Sequence, residues 1–227
     1  MSRNIYGILS HLNSLADPTN VEGMVHFGIN PHNTLGISVN TLRGIAREVG
    51  KDHDLAGELW ASGVHEARIL ASLVDIPKQV TDEQMESWVK DLDSWDVCDQ
   101  VCQNLFARTS YACQKALAWS GRPEEFVKRA GFVLIARLAV PSAKTADKTL
   151  DGFLPIIARE ASDERNYVKK AVNWALRQIG KRNRNLHAKT IAVAQQIERM
   201  DSKAARWVAR EALKELTSPK TIARLRV

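Results

Sequence analysis

The stretch Asp93-Ser-Trp-Asp-Val-Cys-Asp-Gln-Val-Cys-Gln-Asn-Leu-Phe106 has the residue pattern of one amphipathic helix. Val97, Val101 and Leu105 recur at every fourth position, so one face of this helix is predicted to pack in a core. Ser94 stands where the helix would begin and is predicted to cap it. The stretch therefore indicates a helical protein.

Trp95 and Asp99 share another face of this helix, at the edge of the apolar stripe. An indole and a carboxylate one turn apart, on a face not used for packing, can together stabilise a cation. The alternative interpretation is structural, with a boundary tryptophan and a solvated aspartate. Taken alone, the two residues favour the structural interpretation.

Helical periodicity continues along nearly the whole chain, and convincing strand alternation is absent. Ser38 and Thr81 are predicted to cap helices, whereas Gly50 and Gly63 are predicted to mark a helix end and a turn. The sequence therefore indicates the all-α class.

Four predicted helices open in a similar way, which indicates a repeat. They begin with His65-Glu-Ala-Arg-Ile-Leu-Ala71, Phe126-Val-Lys-Arg-Ala130, Tyr167-Val-Lys-Lys-Ala171 and Lys203-Ala-Ala-Arg-Trp-Val-Ala209. The clearest copies lie roughly 35 to 45 residues apart, the length of a HEAT-like helix pair. Such pairs stack into a solenoid. We predict one HEAT-like solenoid domain over residues 1–227 with a concave basic groove; a helix bundle without curvature is the alternative.

Composition limits the partners and the compartment. The 227 residues carry 32 Lys and Arg against 26 Asp and Glu, and a net charge of +6 permits a polyanion partner without demanding one. No apolar run reaches the length of a membrane span, and the N-terminus lacks a signal core, so we expect a cytoplasmic protein. Three cysteines make neither a disulfide framework nor a zinc site, and Cys98 and Cys102 are predicted to be small buried thiols.

The predicted helix near residues 164–181 places an aromatic residue inside a basic stripe. Trp174 falls with Lys170, Arg177 and Lys181 on one face, away from the core stripe. This pattern suits a phosphate backbone with a sugar or base nearby. Equally, a neighbouring repeat could cover the indole, or Lys170 or Arg177 could stack on it.

Charged residues also occur within a long apolar helix predicted near 124–139. Arg129 and Arg137 lie there eight residues apart. Charges within an apolar helix must pair with a carboxylate or face a groove. In a groove, a phosphate is a candidate partner. At the start of another helix, His65 and Glu66 are interpreted as capping or pairing residues rather than catalytic ones.

Three motifs together resemble the AlkD-type DNA glycosylases, all-helical HEAT-like proteins often called DNA alkylation repair enzymes. The resemblance extends from Phe27 to about Leu216. The motifs are Trp95-Asp-Val-Cys-Asp99, Lys128-Arg129 with Arg137, and Ala171-Val-Asn-Trp-Ala-Leu-Arg177.

The resemblance implies roles for individual residues. The final acid of the family's Trp-Asp-x-x-Asp motif is the catalytic carboxylate, here Asp99. Trp95 and Trp174 would form its aromatic cleft. The DNA-binding residues would be Arg129, Arg137 and Arg177, together with Lys128, Lys170 and Lys181 of the same basic stretches.

The function implied is hydrolytic removal of cationic N3- or N7-alkylated purines without a metal or organic cofactor. The partner would be double-stranded DNA containing alkylated bases, bound by a monomer that is nucleoid-associated when on DNA and has no membrane partner. One alternative is a non-catalytic HEAT-like protein that binds distorted or branched nucleic acid, and another is a protein–protein scaffold. The segment Asn30–Ser38 departs from the family's usual proline-containing turn, which leaves N-terminal DNA contacts undefined.

Overall fold

The computed structural model describes residues 4–225, which fold into fourteen α-helices and no strand. The helices are α1 Ile5–Ser14, α2 Pro18–His26, α3 Val39–Val49, α4 His53–Ala61, α5 His65–Val74, α6 Asp82–Lys90, α7 Trp95–Asn104, α8 Ala112–Ser120, α9 Glu125–Leu138, α10 Asp147–Glu160, α11 Asn166–Gly180, α12 Arg184–Glu198, α13 Lys203–Leu216 and α14 Pro219–Ile222. The predicted all-α class is confirmed.

Contacts group the helices into two compact units, one ending at Ser110 and the other beginning at Tyr111. In the first unit, α5 packs against both α3 and α7, and α4 packs against α5. The apolar face predicted for α7 is confirmed, because Val97 and Val101 are buried. The single domain and the concave basic groove stay predictions.

The second unit consists of helix pairs in two layers. One layer holds α9, α11 and α13, with α11 packed against both neighbours, while α10 packs against α8 and α12 in the other layer. Gly131 permits the close approach of α9 to α8, since a Cβ atom there would lie 2.5 Å from the backbone nitrogen of Ser120. This pairing of successive helices matches the predicted repeat.

Most local signals act as the sequence indicates. Ser38 and Thr81 accept hydrogen bonds from backbone N–H groups in the first turns of α3 and α6, so both predicted caps are confirmed. Gly63 turns the chain with a φ of 69°. Ser94 occupies the N-cap position of α7 as predicted, but the side-chain cap predicted there is wrong: its hydroxyl accepts no backbone N–H group of the first turn and donates to Asp96 Oδ1 at 2.7 Å.

Buried sulfur and aromatic groups complete the core of the first unit. Cys98 and Cys102 are fully buried free thiols, as predicted. The buried rings of Trp60 and Trp88 stack with centroids 4.1 Å apart. Between residues 4 and 225, no helix has the length and apolarity to cross a membrane.

Candidate functional site

Trp95 and Asp99 occupy the first turns of α7, where both side chains are half-buried. The indole nitrogen of Trp95 donates to the carbonyl oxygen of Phe27 at 3.1 Å. Trp95 also borders a cleft of about 500 Å³, whose other walls come from α2 and from the segment 29–38. The tryptophan is therefore held in one orientation while one side of it faces an open space.

Asp96, between these two residues, fixes the start of α7 to α5. Its Oδ2 lies 2.8 Å from Nε2 of His65, and its Oδ1 accepts from Ser94. Burial lowers the pKa of His65, but the hydrogen bond and charge of Asp96, together with Glu66 and Asp93, raise it to a net value above 6.5. Burial likewise raises the pKa of Asp96, but His65 and Ser94 bring it below 3.8. The pairing role interpreted for His65 is confirmed.

Glu66 fixes the segment that forms another wall of the cleft. Its carboxylate is fully buried and accepts backbone N–H groups from Leu35, Gly36 and Ile37 at 2.9, 2.8 and 3.2 Å. Gly36 has a φ of 79°, and a Cβ atom there would meet the backbone oxygen of Asp17 at 2.3 Å. Successive residues of α5 thus hold both Trp95 and the loop opposite it.

The basic stripe predicted on α11 is present, and its members differ in exposure. Lys170 is exposed, whereas Trp174, Arg177 and Lys181 are half-buried. Within the described chain, neither Lys170 nor Arg177 stacks on the Trp174 ring. Lys169 of this helix places its ammonium 5.0 Å from the centroid of the Trp207 ring.

Arg177 and Lys181 share one carboxylate. Arg177 Nη1 donates to Oε2 of Glu215 at 2.5 Å, and Lys181 Nζ donates to Oε1 of the same residue at 2.7 Å. Burial raises the pKa of Glu215, but the hydrogen bonds and charges of Lys181 and Arg177 lower it to below the usual range. The three side chains form one ionic cluster between α11 and α13.

The paired basic residues of α9 are buried and bonded. Lys128 Nζ lies 2.7 Å from Glu160 Oε2 and 3.3 Å from Asp163 Oδ2. Arg129, with 6% of its surface exposed, donates from Nη1 to the carbonyl oxygen of Tyr167 at 2.7 Å. The charge of Lys128 is therefore compensated inside the second unit, and Arg129 is anchored to the start of α11.

The predicted site residues fall into two groups. Trp95 and Asp99 lie together on α7 in the first unit. The second unit carries Trp174 on α11 and all six predicted basic residues, with Arg137 half-buried near the end of α9. A cleft of about 980 Å³ between α10 and α12 is lined by none of these residues.

Sequence reasoning missed two residues that organise these groups, Asp96 and Glu215. Asp96 is 31 positions from His65, and Glu215 is 38 positions from Arg177. No local spacing signals either contact. Only the pairing of helices from successive repeats brings these side chains together.

Comparisons with known proteins agree with the family resemblance. A solved structure with a TM-score of 0.77 and 17% identity covers 93% of this chain and 95% of its own, and its protein is described as belonging to "a new family of proteins related to the HEAT-like repeat DNA glycosylases with affinity for branched DNA structures". The fold is accordingly HEAT-like. No curated protein matches the chain. The model of the DNA alkylation repair enzyme family matches residues 8–216, and the chain belongs to that family.

Proposed function

We propose that this protein is a DNA glycosylase that hydrolyses the N-glycosidic bond of purines alkylated at N3 or N7. The observation that carries the proposal is the start of α7, where Trp95 and Asp99 are half-buried one turn apart and Trp95 borders an open cleft. A partly buried hydrogen bond between His65 of α5 and Asp96 holds the first turn. A rigidly held acid and indole are what electrostatic stabilisation of a cation requires.

The chemistry follows from the charge of the substrate. Alkylation at N3 or N7 makes the purine cationic, so the base departs as a neutral molecule with the electron pair of the C1′–N bond. The deoxyribose then carries oxocarbenium character. In our proposal, the Asp99 carboxylate and the indole faces of Trp95 and Trp174 stabilise that charge. Water adds its oxygen to C1′ and releases a proton, for which Asp99 is the proposed acceptor.

DNA binding is proposed for the basic residues of the second unit. Lys170 is exposed, so its ammonium can reach a phosphate without rearrangement. Arg129, Arg137, Arg177 and Lys181 are proposed to contact the backbone around the lesion. Lys128 was predicted with them from its motif, but we propose that it holds α9 through Glu160 and Asp163. Phosphate contacts of this kind make affinity fall steeply with salt.

The proposal is tested by incubating the protein with methylated duplex DNA and measuring freed 3-methyladenine, freed 7-methylguanine and abasic sites. Release in proportion to abasic sites is expected, with or without a chelator. The same DNA without methylation is the matched control. Intact methylated bases after prolonged incubation, with the protein bound to the duplex, would contradict the proposal.

A second candidate is a non-catalytic protein that binds branched DNA. It is favoured by the structurally similar protein described as related to glycosylases and having affinity for branched DNA. Competition between a four-way junction and a duplex of equal length tests it. Tighter binding to the junction, without base release from methylated DNA, supports this candidate. If the protein has no affinity for either DNA at low salt, the remaining hypothesis is a protein–protein scaffold.

A further inference from the structure

We propose that Glu215 occupies the site at which Arg177 and Lys181 bind a DNA phosphate, and that it weakens DNA binding until a phosphate displaces it. This inference rests on the DNA-binding part of the proposed function. It assigns to Glu215 a regulating role that is independent of base removal.

The geometry is that of an anion-binding site occupied by a carboxylate of the same protein. Each Glu215 oxygen accepts from a different cation, Oε2 from Arg177 and Oε1 from Lys181. A phosphodiester also presents two negatively charged oxygens on one atom, and arginine and lysine bind either group by charge-assisted hydrogen bonds. The carboxylate of α13 therefore stands in for a phosphate between two residues of the α11 stripe.

Glu215 is an incomplete partner for these cations. Arg177 meets it through Nη1, while its Nε atom is buried without a hydrogen-bond partner. The side chains of Arg177, Lys181 and Glu215 are 33%, 30% and 31% exposed, so water screens their attraction. A partly exposed pair contributes little to stability, so the fold does not depend on keeping it.

The surroundings of the cluster favour a second anion. A cavity of about 480 Å³ borders Lys181 and Glu215, and Lys220 and Arg224 line it from the C-terminal segment. Between residues 4 and 225, neither Lys220 nor Arg224 forms an ion pair. Three cations thus face one carboxylate, and an entering phosphate meets positive potential.

The test is Glu215→Gln, which keeps the shape of the side chain and removes its charge. Fluorescence anisotropy with an undamaged, labelled duplex measures affinity across a salt series. We expect Kd to fall by about 3- to 30-fold at low salt, and the slope of log K against log salt to steepen by up to about one. In Glu215→Asp the side chain is too short to reach both cations, so its Kd is expected to lie between those of Glu215→Gln and the wild type.

The matched control is Glu198→Gln, which removes the same charge from α12, where Glu198 pairs with Arg210 at 3.5 Å. Thermal unfolding verifies that each variant is folded. The inference would be overturned if Glu215→Gln bound DNA with the same affinity as the control variant. It would also be overturned if Glu215→Gln bound DNA more weakly than the wild type, because Glu215 would then position the cations for DNA. Undamaged DNA keeps this result separate from base release, which alone decides the glycosylase proposal.

Discussion

The Nε2 atom of His65 lies 2.8 Å from Oδ2 of Asp96, which joins the start of α5 to the first turn of α7. The His65 side chain is 3% exposed and that of Asp96 is 14% exposed, so water screens the pair little. Trp95 precedes Asp96 in the chain and Asp99 follows one turn later. The pair therefore determines how rigidly both proposed catalytic residues are held.

This pair makes stability depend on pH. The pKa of His65 is raised from 6.5, so its contribution is fully present below about pH 6.5 and is lost as pH rises through the folded-state value. The pKa of Asp96 is lowered from 3.8, so its contribution is lost only in strong acid. Urea unfolding of the wild type and of His65→Gln is measured from about pH 6 to about pH 9. The free energy of unfolding of the wild type should decline with pH across this range, and that of the variant should lack this decline. Parallel profiles would contradict the assignment.

Removing the charge of Glu66 should loosen the loop beside Trp95. Glutamine offers one carbonyl oxygen where the carboxylate accepts three backbone N–H groups, and its amide would face donors. We expect Glu66→Gln to lower the free energy of unfolding by about 3 kcal/mol. Hydrogen exchange of the amides at 35–37 should accelerate with it. The exposed Glu48→Gln serves as the control, and equal stability of the two variants would refute the role of Glu66.

Lys128→Ala separates a structural role from a DNA contact. The substitution leaves Glu160 and Asp163 partly buried with one cation fewer, which should destabilise the protein by about 3 kcal/mol. The salt slope of DNA binding, measured below the unfolding temperature, should be unchanged. If the salt slope became flatter by about one, Lys128 would instead contact a phosphate, as its motif predicts.

Lys170→Ala should have the opposite effects, leaving stability nearly unchanged and weakening DNA binding. Its side chain is exposed on the α11 stripe, so stability should change by less than about 0.5 kcal/mol. We expect weaker DNA binding and a salt slope flatter by up to about one. Lys148→Ala is the matched control, because that exposed lysine lies on α10 in the other helix layer. Identical slopes for the two variants would remove Lys170 from the proposed interface.

The helices of this fold follow from local sequence, since their signals act over a few residues. Apolar spacing identifies α7 and α11, and Gly63 and Thr81 mark a turn and a helix start. Ser94 shows where such reasoning fails. Its hydroxyl donates to the charged carboxylate of Asp96, a strong hydrogen bond that orients the side chain, and it accepts no backbone N–H group of the first turn.

The site was predictable only in part. Helical spacing singled out Trp95, Asp99 and Trp174, and the family resemblance supplied the roles proposed for them. The burial of Lys128 was expected from neither. Glu66 and Glu215 find partners 29 or more positions away, so their contacts depend on how helices from different repeats pack. Periodicity along one helix carries no information about such packing.

The most direct test of the central claim is single-turnover release of 7-methylguanine by Asp99→Asn. Asparagine keeps the size of the side chain and removes the charge proposed to stabilise the deoxyribose cation. We expect the rate of release to fall by a factor of about 100 or more, as when one electrostatic group is removed from other active sites, while affinity for undamaged duplex is retained. Release at the wild-type rate with equal DNA affinity would contradict the account.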